Sequence, residues 1–296
     1  MKVAYDGVGS GKGIEGALGG RFTFGCTDAP LTDAQLAVAA AAGKEVRHVP
    51  LVLGSVVPAY NVSGLPVGAR LRFTGSVLAE LYLGRITTWN DGRLLANNPG
   101  LKAALPDLAI RVVYRSDSSG TTAIWTDFLS EVSAEWRTGP GKGTSVKWPV
   151  GEGEPKSAGM TDRVNRTAGA FGYVELSNAI QDGLPFGEVR NKAGRYVEPS
   201  LASVTAAAAA IADRIPDDMR YSLVDAPGDE SYPISGTAWA LLVYPAGGAP
   251  DPVAVAFLEW AAHAGQAHTS ELLYAPLPSA LQLRLDGLFY RLKARQ

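Results

Sequence analysis

An α/β protein with mixed, largely parallel sheets is predicted by three observations. Short apolar runs rich in β-branched and aromatic residues alternate with segments of helical composition. Three Gly/Ser/Thr loops each follow such a run and open a helix: Val8-Gly9-Ser10-Gly11-Lys12-Gly13, Gly25-Cys26-Thr27-Asp28-Ala29-Pro30 and Arg115-Ser116-Asp117-Ser118-Ser119-Gly120-Thr121-Thr122. At 296 residues, 46% of them hydrophobic, the chain is long enough to bury one large core or two ordinary ones.

Val3–Tyr5 is the first candidate strand and feeds the first loop. Arg21–Gly25 is the second and feeds the next. Thr32 and Gln35 then stand at capping-box spacing, where a hydroxyl accepts the third helical amide and the Gln side chain reaches back, so Leu36–Ala42 reads as a capped helix. Val52–Tyr60 is a long extended run before the turn Gly64-Leu65-Pro66, and Ile110–Tyr114 is the strand that delivers the third loop. The helix after that loop runs through Trp125 and Phe128. Gly169–Val174 and Trp239–Tyr244 complete the candidate strands, and Ala202–Ala212 reads as a helix because alanine is the best helix former. Val52–Tyr60 and Tyr232–Val243 fit either two crossovers joining a discontinuous domain to an inserted one or strands of a single domain.

Charge and composition exclude several classes. A formal net charge of −2 argues against a broad nucleic-acid or anionic-membrane surface, so an anion would have to be held locally. Cys26 is the one cysteine, which rules out an intrachain disulfide, and it reads as a small buried side chain. His48, His263 and His268 lie apart without metal-ligand spacing, so structural roles and no metal are expected. No run approaches the ~20 apolar residues of a membrane span, and the start Met1-Lys2-Val3-Ala4-Tyr5 shows no signal-peptide stretch.

Each loop would offer unpaired amides, small hydroxyls and the positive end of a helix dipole to an oxyanion. The first is not a nucleotide-hydrolysing P-loop, because Gly11-Lys12 is followed by Gly13 and Asp6 stands where that motif has its first Gly. Asp28 is either a turn residue or a carboxylate that accepts a proton from a protonated ligand and rejects fully ionised anions. In the third loop Arg115 can fork onto an oxyanion with Asp117 orienting it, or the two can form an ordinary loop ion pair.

The ordered set Gly7-Val8-Gly9-Ser10, Thr27-Asp28-Ala29-Pro30-Leu31, Leu81-Tyr82-Leu83-Gly84-Arg85-Ile86, Arg115-Ser116-Asp117-Ser118-Ser119-Gly120-Thr121 and Gly169-Ala170-Phe171-Gly172-Tyr173-Val174-Glu175 resembles the PstS-type substrate-binding component of the bacterial high-affinity phosphate ABC transporter. Trp89-Asn90, Val146-Lys147-Trp148-Pro149 and Tyr232-Pro233-Ile234 follow the same order, and the similarity runs from about Tyr5 to the end. The resemblance implies a type II periplasmic-binding-protein fold, two α/β lobes joined by two crossovers near Val52–Val57 and Pro233–Ser235. Lobe I would comprise 1–53 and 235–296, and lobe II 54–234. The implied phosphate contacts are Ser10, Asp28, Arg115, Ser119, Gly120 and Thr121, with Asp117 supporting Arg115, no catalytic residue and no cofactor. The implied partners are inorganic phosphate and the permease subunits of an ABC transporter, for a monomeric protein of the periplasm or cell envelope. The family's usual N-terminal strand and Gly-Ala-Gly-Ala-Thr-Phe-like loop have no counterpart in the chain, so lobe I is expected to be short of them. A phosphate-sensing or adhesion module is the alternative within the fold; a phosphoryl-transfer enzyme would need a base or metal cluster beside Ser10 or Ser119.

Overall fold

The computed structural model describes residues 3–295. Helix α1 (Ser10–Leu18) comes first, followed by strand β1 (Phe24–Thr27) and α2 (Asp33–Ala41). The predicted capping box is present: Gln35 N donates to Thr32 Oγ1 at 3.2 Å and Thr32 N donates to Gln35 Oε1 at 2.9 Å. β2 is one extended strand from Lys44 to Tyr60. Then come β3 (Arg72–Phe73), α3 (Gly75–Tyr82), α4 (Gly92–Asn97), β4 (Arg111–Arg115), α5 (Gly120–Val132) and α6 (Ala134–Thr138). β5 (Glu152–Glu154), α7 (Lys156–Arg166), β6 (Ala170–Glu175), α8 (Leu176–Gln181), β7 (Glu188–Arg190) and β8 (Tyr196–Val197) follow. α9 (Leu201–Ala209), β9 (Ser235–Pro245), α10 (Pro252–Ala262) and α11 (Ser279–Lys293) end the chain.

Six strands form one sheet in the order β1-β9-β2-β6-β4-β5, and β3-β7-β8 form a second. β9 pairs antiparallel with β1 from Phe24↔Leu242 to Thr27↔Trp239 and with β2 from Lys44↔Pro245 to Ser55↔Ser235. The β2 register shifts between Pro50 and Val52, where proline cannot donate to a ladder. Beyond Ser55, β2 changes partner and pairs antiparallel with β6, from Val56↔Glu175 to Tyr60↔Phe171. Parallel pairing is confined to β4 with β5 and β6, and to β3 with β7. The expected α/β class with mixed sheets is therefore present, but the long strands run antiparallel. The parallel pairs are the ones whose strands are separated in the chain by helices, the crossovers that parallel pairing requires.

One predicted strand is absent. Val3–Tyr5 forms no ladder, and Tyr5 is 73% exposed. A strand needs a neighbour to satisfy its backbone, and neither sheet takes in Val3–Tyr5. The other strands lie where expected with shifted ends, and the alanine-rich helix stops at Ala209.

The buried side chains fall into separate clusters, and the change occurs along β2. Val56, Val57 and Tyr60 belong to an aromatic-rich core with Tyr82, Trp125 and Phe171. Val49 and Leu53 belong to another with Leu258, Leu285 and Phe289. A third, smaller cluster packs Ile14 and Ala17 of α1 against Leu31, Val46 and Leu241. Val204, Ala208, Ile215, Met219 and Leu223 join the second cluster, although they precede β9 in the chain.

Candidate anion-binding site

The first loop turns into α1 at Gly9, whose φ of 86° suits glycine, and Ser10 starts the helix almost fully buried. α1 lies tightly on β1: a Cβ on Gly13 would overlap the Cys26 carbonyl, and one on Gly25 would overlap the Gly13 carbonyl. That close approach sets Ser10 beside Asp28. The Asp28 amide donates to Ser10 Oγ at 3.2 Å, and Ser10 Oγ lies 3.5 Å from Asp28 Oδ2 as its donor.

The second loop is braced from within and from behind. Thr27 Oγ1 accepts from the Ala29 amide at 3.1 Å and donates to the Ala29 carbonyl at 2.9 Å. The Leu31 amide donates to His48 Nε2 at 3.0 Å. Burial lowers the His48 pKa to about 4, with the Arg220 charge adding to the effect, so the ring is neutral and can accept. The expected structural role of His48 is thus visible as a bond that holds the Asp28 loop. Cys26 is half-buried, and burial followed by the charge of Asp28 pushes its thiol up to about 11.

The third loop follows β4. Arg115 is 7% exposed, and its Nε and Nη2 donate to Asp117 Oδ1 and Oδ2, each at 2.7 Å, while Nη1 donates to Ser157 Oγ at 3.3 Å. The remaining guanidinium N–H donors are available to a ligand. The hydrogen bond from Arg115 is the main reason the Asp117 carboxyl is held down to about 2, aided by the Lys156 amide at 2.9 Å. Lys156 adopts φ 61°, in the left-handed region, as it presents that amide. The Arg115 amide donates to the Tyr173 hydroxyl at 3.0 Å, and that hydroxyl lies 2.6 Å from Thr122 Oγ1. Ser119 caps α5 by accepting from the Thr122 amide at 3.3 Å; Thr121 is buried in the first turn.

These loops meet. The Gly11 amide donates to the Ser118 carbonyl at 3.3 Å, and a Cβ on Gly120 would overlap both Asp28 Oδ2 and Ser10 Oγ. The structure therefore gathers Ser10, Asp28, Arg115, Asp117, Ser119, Gly120 and Thr121 at one place, with the N-termini of α1 and α5 beside them. Two helix dipoles and a buried guanidinium favour an anion there.

Two carboxyl groups oppose an unlimited negative charge. Burial and the neighbouring Glu175 raise the Asp28 pKa, against the lowering effect of the Ser10 hydrogen bond and Arg115. Burial likewise raises Glu175, which ends β6 and accepts from the Tyr274 hydroxyl at 2.8 Å. A cavity of about 20 Å³ lies between Asp28, Glu175, Tyr274, Gly54, Gly236 and Ile124. Sequence reasoning assigned no role to Glu175, Tyr274, Ser157, Lys156 or Tyr173. Glu175 and Tyr173 stood within a quoted motif; the other three reach the site from distant segments.

The fold and the converging loops define an anion-receptor class. A family model described as a PBP superfamily domain matches residues 1–264. The phosphate-binding protein PstS of Xylella fastidiosa is 37% identical over 97% of this chain and 77% of its own length; that of Pasteurella multocida is 38% identical over 97% and 81%. The chain belongs to the PstS phosphate-binding proteins of the PBP superfamily. Among solved structures, the phosphate-bound, high-affinity periplasmic phosphate-binding protein PfluDING superposes with a TM-score of 0.75 at 24% identity. The superposition covers 96% of this chain and 87% of that one.

Proposed function

We propose that the chain binds inorganic phosphate between two lobes and delivers it to the permease of an ABC transporter. The observation that carries this reading is the meeting of Ser10 and Asp28 with Gly120 and the buried Arg115 at two helix N-termini. Its membership of the PstS family supports phosphate as the anion. Hydroxyls and amides of Ser10, Ser119, Gly120 and Thr121 bind the oxygens, Arg115 supplies the positive charge, and Asp117 fixes the guanidinium. Asp28 as a carboxylate accepts the proton that phosphate carries and sulfate lacks.

In this reading lobe I is built from 1–53 and 235–296 and lobe II from 54–234. The change of core cluster along β2 supports the division, and the packing of Val204 to Leu223 on the lobe I side means that 201–223 serves that lobe's core. The protein acts as an exported monomeric receptor without catalysis. No helix among the described residues is long and apolar enough to cross a membrane.

Titration calorimetry with phosphate and sulfate tests the reading: phosphate binds tightly and sulfate weakly. Equal affinities, or divalent-metal-dependent hydrolysis of a chromogenic phosphate ester in proportion to protein, would overturn it.

A further inference from the structure

We infer that Glu175 is a specificity-determining residue that carries a proton when the cleft holds its anion, taking it from solvent as the anion enters, and so links phosphate affinity to pH through Asp28. The inference rests on the phosphate reading above and deepens it.

The geometry begins with register. Glu175 pairs opposite Val56, and Gly54 pairs opposite Gly236 two residues along β2, so these four positions share one face of the sheet. The facing glycines leave that face open, and the cavity occupies the space. Tyr274 closes one side; a Cβ on Gly54 would touch its ring at 3.4 Å. Glu175, half-buried at the end of β6, therefore shares a small space with the equally half-buried Asp28.

The groups facing it decide the charge. Asp28 comes from the loop after β1, Arg115 from β4, Tyr274 from the segment before α11, Ser177 from α8 and Tyr5 from the N-terminal segment. β2, β9 and α5 present Gly54, Val56, Gly236 and Ile124 to the cavity, none of them titratable. Arg115 is the one cation in this set, and Asp117 already engages it at 2.7 Å. A phosphate dianion arriving next to an ionised Asp28 makes a second ionised carboxylate costly, because like charges in a low dielectric disfavour joint ionisation. Asp28, whose own pKa is raised to about 7, has to be ionised to accept the ligand's proton, and in that state the proton of the pair goes to Glu175. One solvent proton moves to a Glu175 carboxylate oxygen, and no other bond changes. Burial raises the pKa of both carboxyls, and the charge of Glu175 raises Asp28 further.

The test compares phosphate dissociation constants of the wild type and Glu175→Gln from pH 6.5 to 8.5, with calorimetry in buffers of different ionisation enthalpy to count protons. The titration of phosphate itself cancels in the ratio of the two proteins. The wild-type Kd divided by that of Glu175→Gln is expected to rise at least five-fold across the range, with proton uptake at pH 8 in the wild type and less in the variant. Tyr274→Phe removes a hydroxyl that stabilises ionised Glu175 and is expected to move the rise to higher pH. A ratio constant within two-fold, or equal proton counts, would overturn the inference while leaving phosphate binding intact. Should Glu175→Gln fail to fold, absence of proton uptake by the wild type at pH 8 would overturn it equally. A wild type that binds no phosphate at any pH would remove the functional reading and this inference together.

Discussion

Arg115 enters the cleft with part of its guanidinium committed to Asp117 and Ser157. A lysine keeps the charge but cannot bridge Asp117 and an oxyanion with a planar fork. Arg115→Lys is expected to weaken phosphate binding by about 1.5–3 kcal/mol, the range for a charged hydrogen bond, as read by calorimetry. An unchanged Kd would place Arg115 outside the site. Asp28 controls the choice of anion through its protonation. Because burial and Glu175 raise its pKa, lowering the pH turns the carboxylate into a donor that sulfate can use. The phosphate-to-sulfate affinity ratio should fall as the pH drops from 8 to 5. Asp28→Asn, a permanent donor, should narrow that ratio roughly ten-fold, about 1.4 kcal/mol, and remove most of its pH dependence. An untouched ratio would leave Asp28 as a turn residue only.

At the scale of elements, the start of α5 faces the loop after β1 with no room for a methyl group at Gly120. Gly120→Ala should hold the two sides of the site apart and lower phosphate affinity ten-fold or more, while thermal unfolding without phosphate changes little. A Kd within two-fold of the wild type would show that the close approach is not used. The three loops were legible in the sequence because each concentrates small polar residues just ahead of a helix, and the α2 capping box because its two residues stand three apart. Val3–Tyr5 was misread because β-propensity reports a side chain's fit to a pleated surface, not the presence of a neighbouring strand. Ser157, Lys156 and Tyr274 were invisible for another reason: they come from segments far along the chain, and no local pattern announces such contacts. The direction of β2 and β9 was hidden too, since alternation and apolar runs do not encode which way a neighbour points.

For the whole molecule, stability depends on an imidazole that stays neutral. His48 in the folded chain binds its proton near pH 4, against an ordinary value of 6.5 when unfolded. Between those values the unfolded chain takes up a proton that the folded chain refuses, so stability falls as the pH drops through that window. The loss reaches up to about 3 kcal/mol, because each ten-fold weakening of proton affinity on folding is worth about 1.4 kcal/mol. Thermal midpoints from pH 7.5 to 4.5 should decline more steeply for the wild type than for His48→Gln, whose amide can accept from Leu31 without titrating. Parallel declines would remove His48 as the cause.

The half-buried thiol of β1 also fixes how the molecule can be observed. That thiol, at Cys26, is the one sulfhydryl in the sequence and ionises only near pH 11, and the thiolate is the form that reacts. At neutral pH little of it is thiolate, so Cys26 reacts slowly with alkylating dyes. A cysteine introduced at an exposed position would be labelled selectively, with no need to replace the native one, and a fluorophore there could follow ligand arrival in real time on an otherwise unaltered protein.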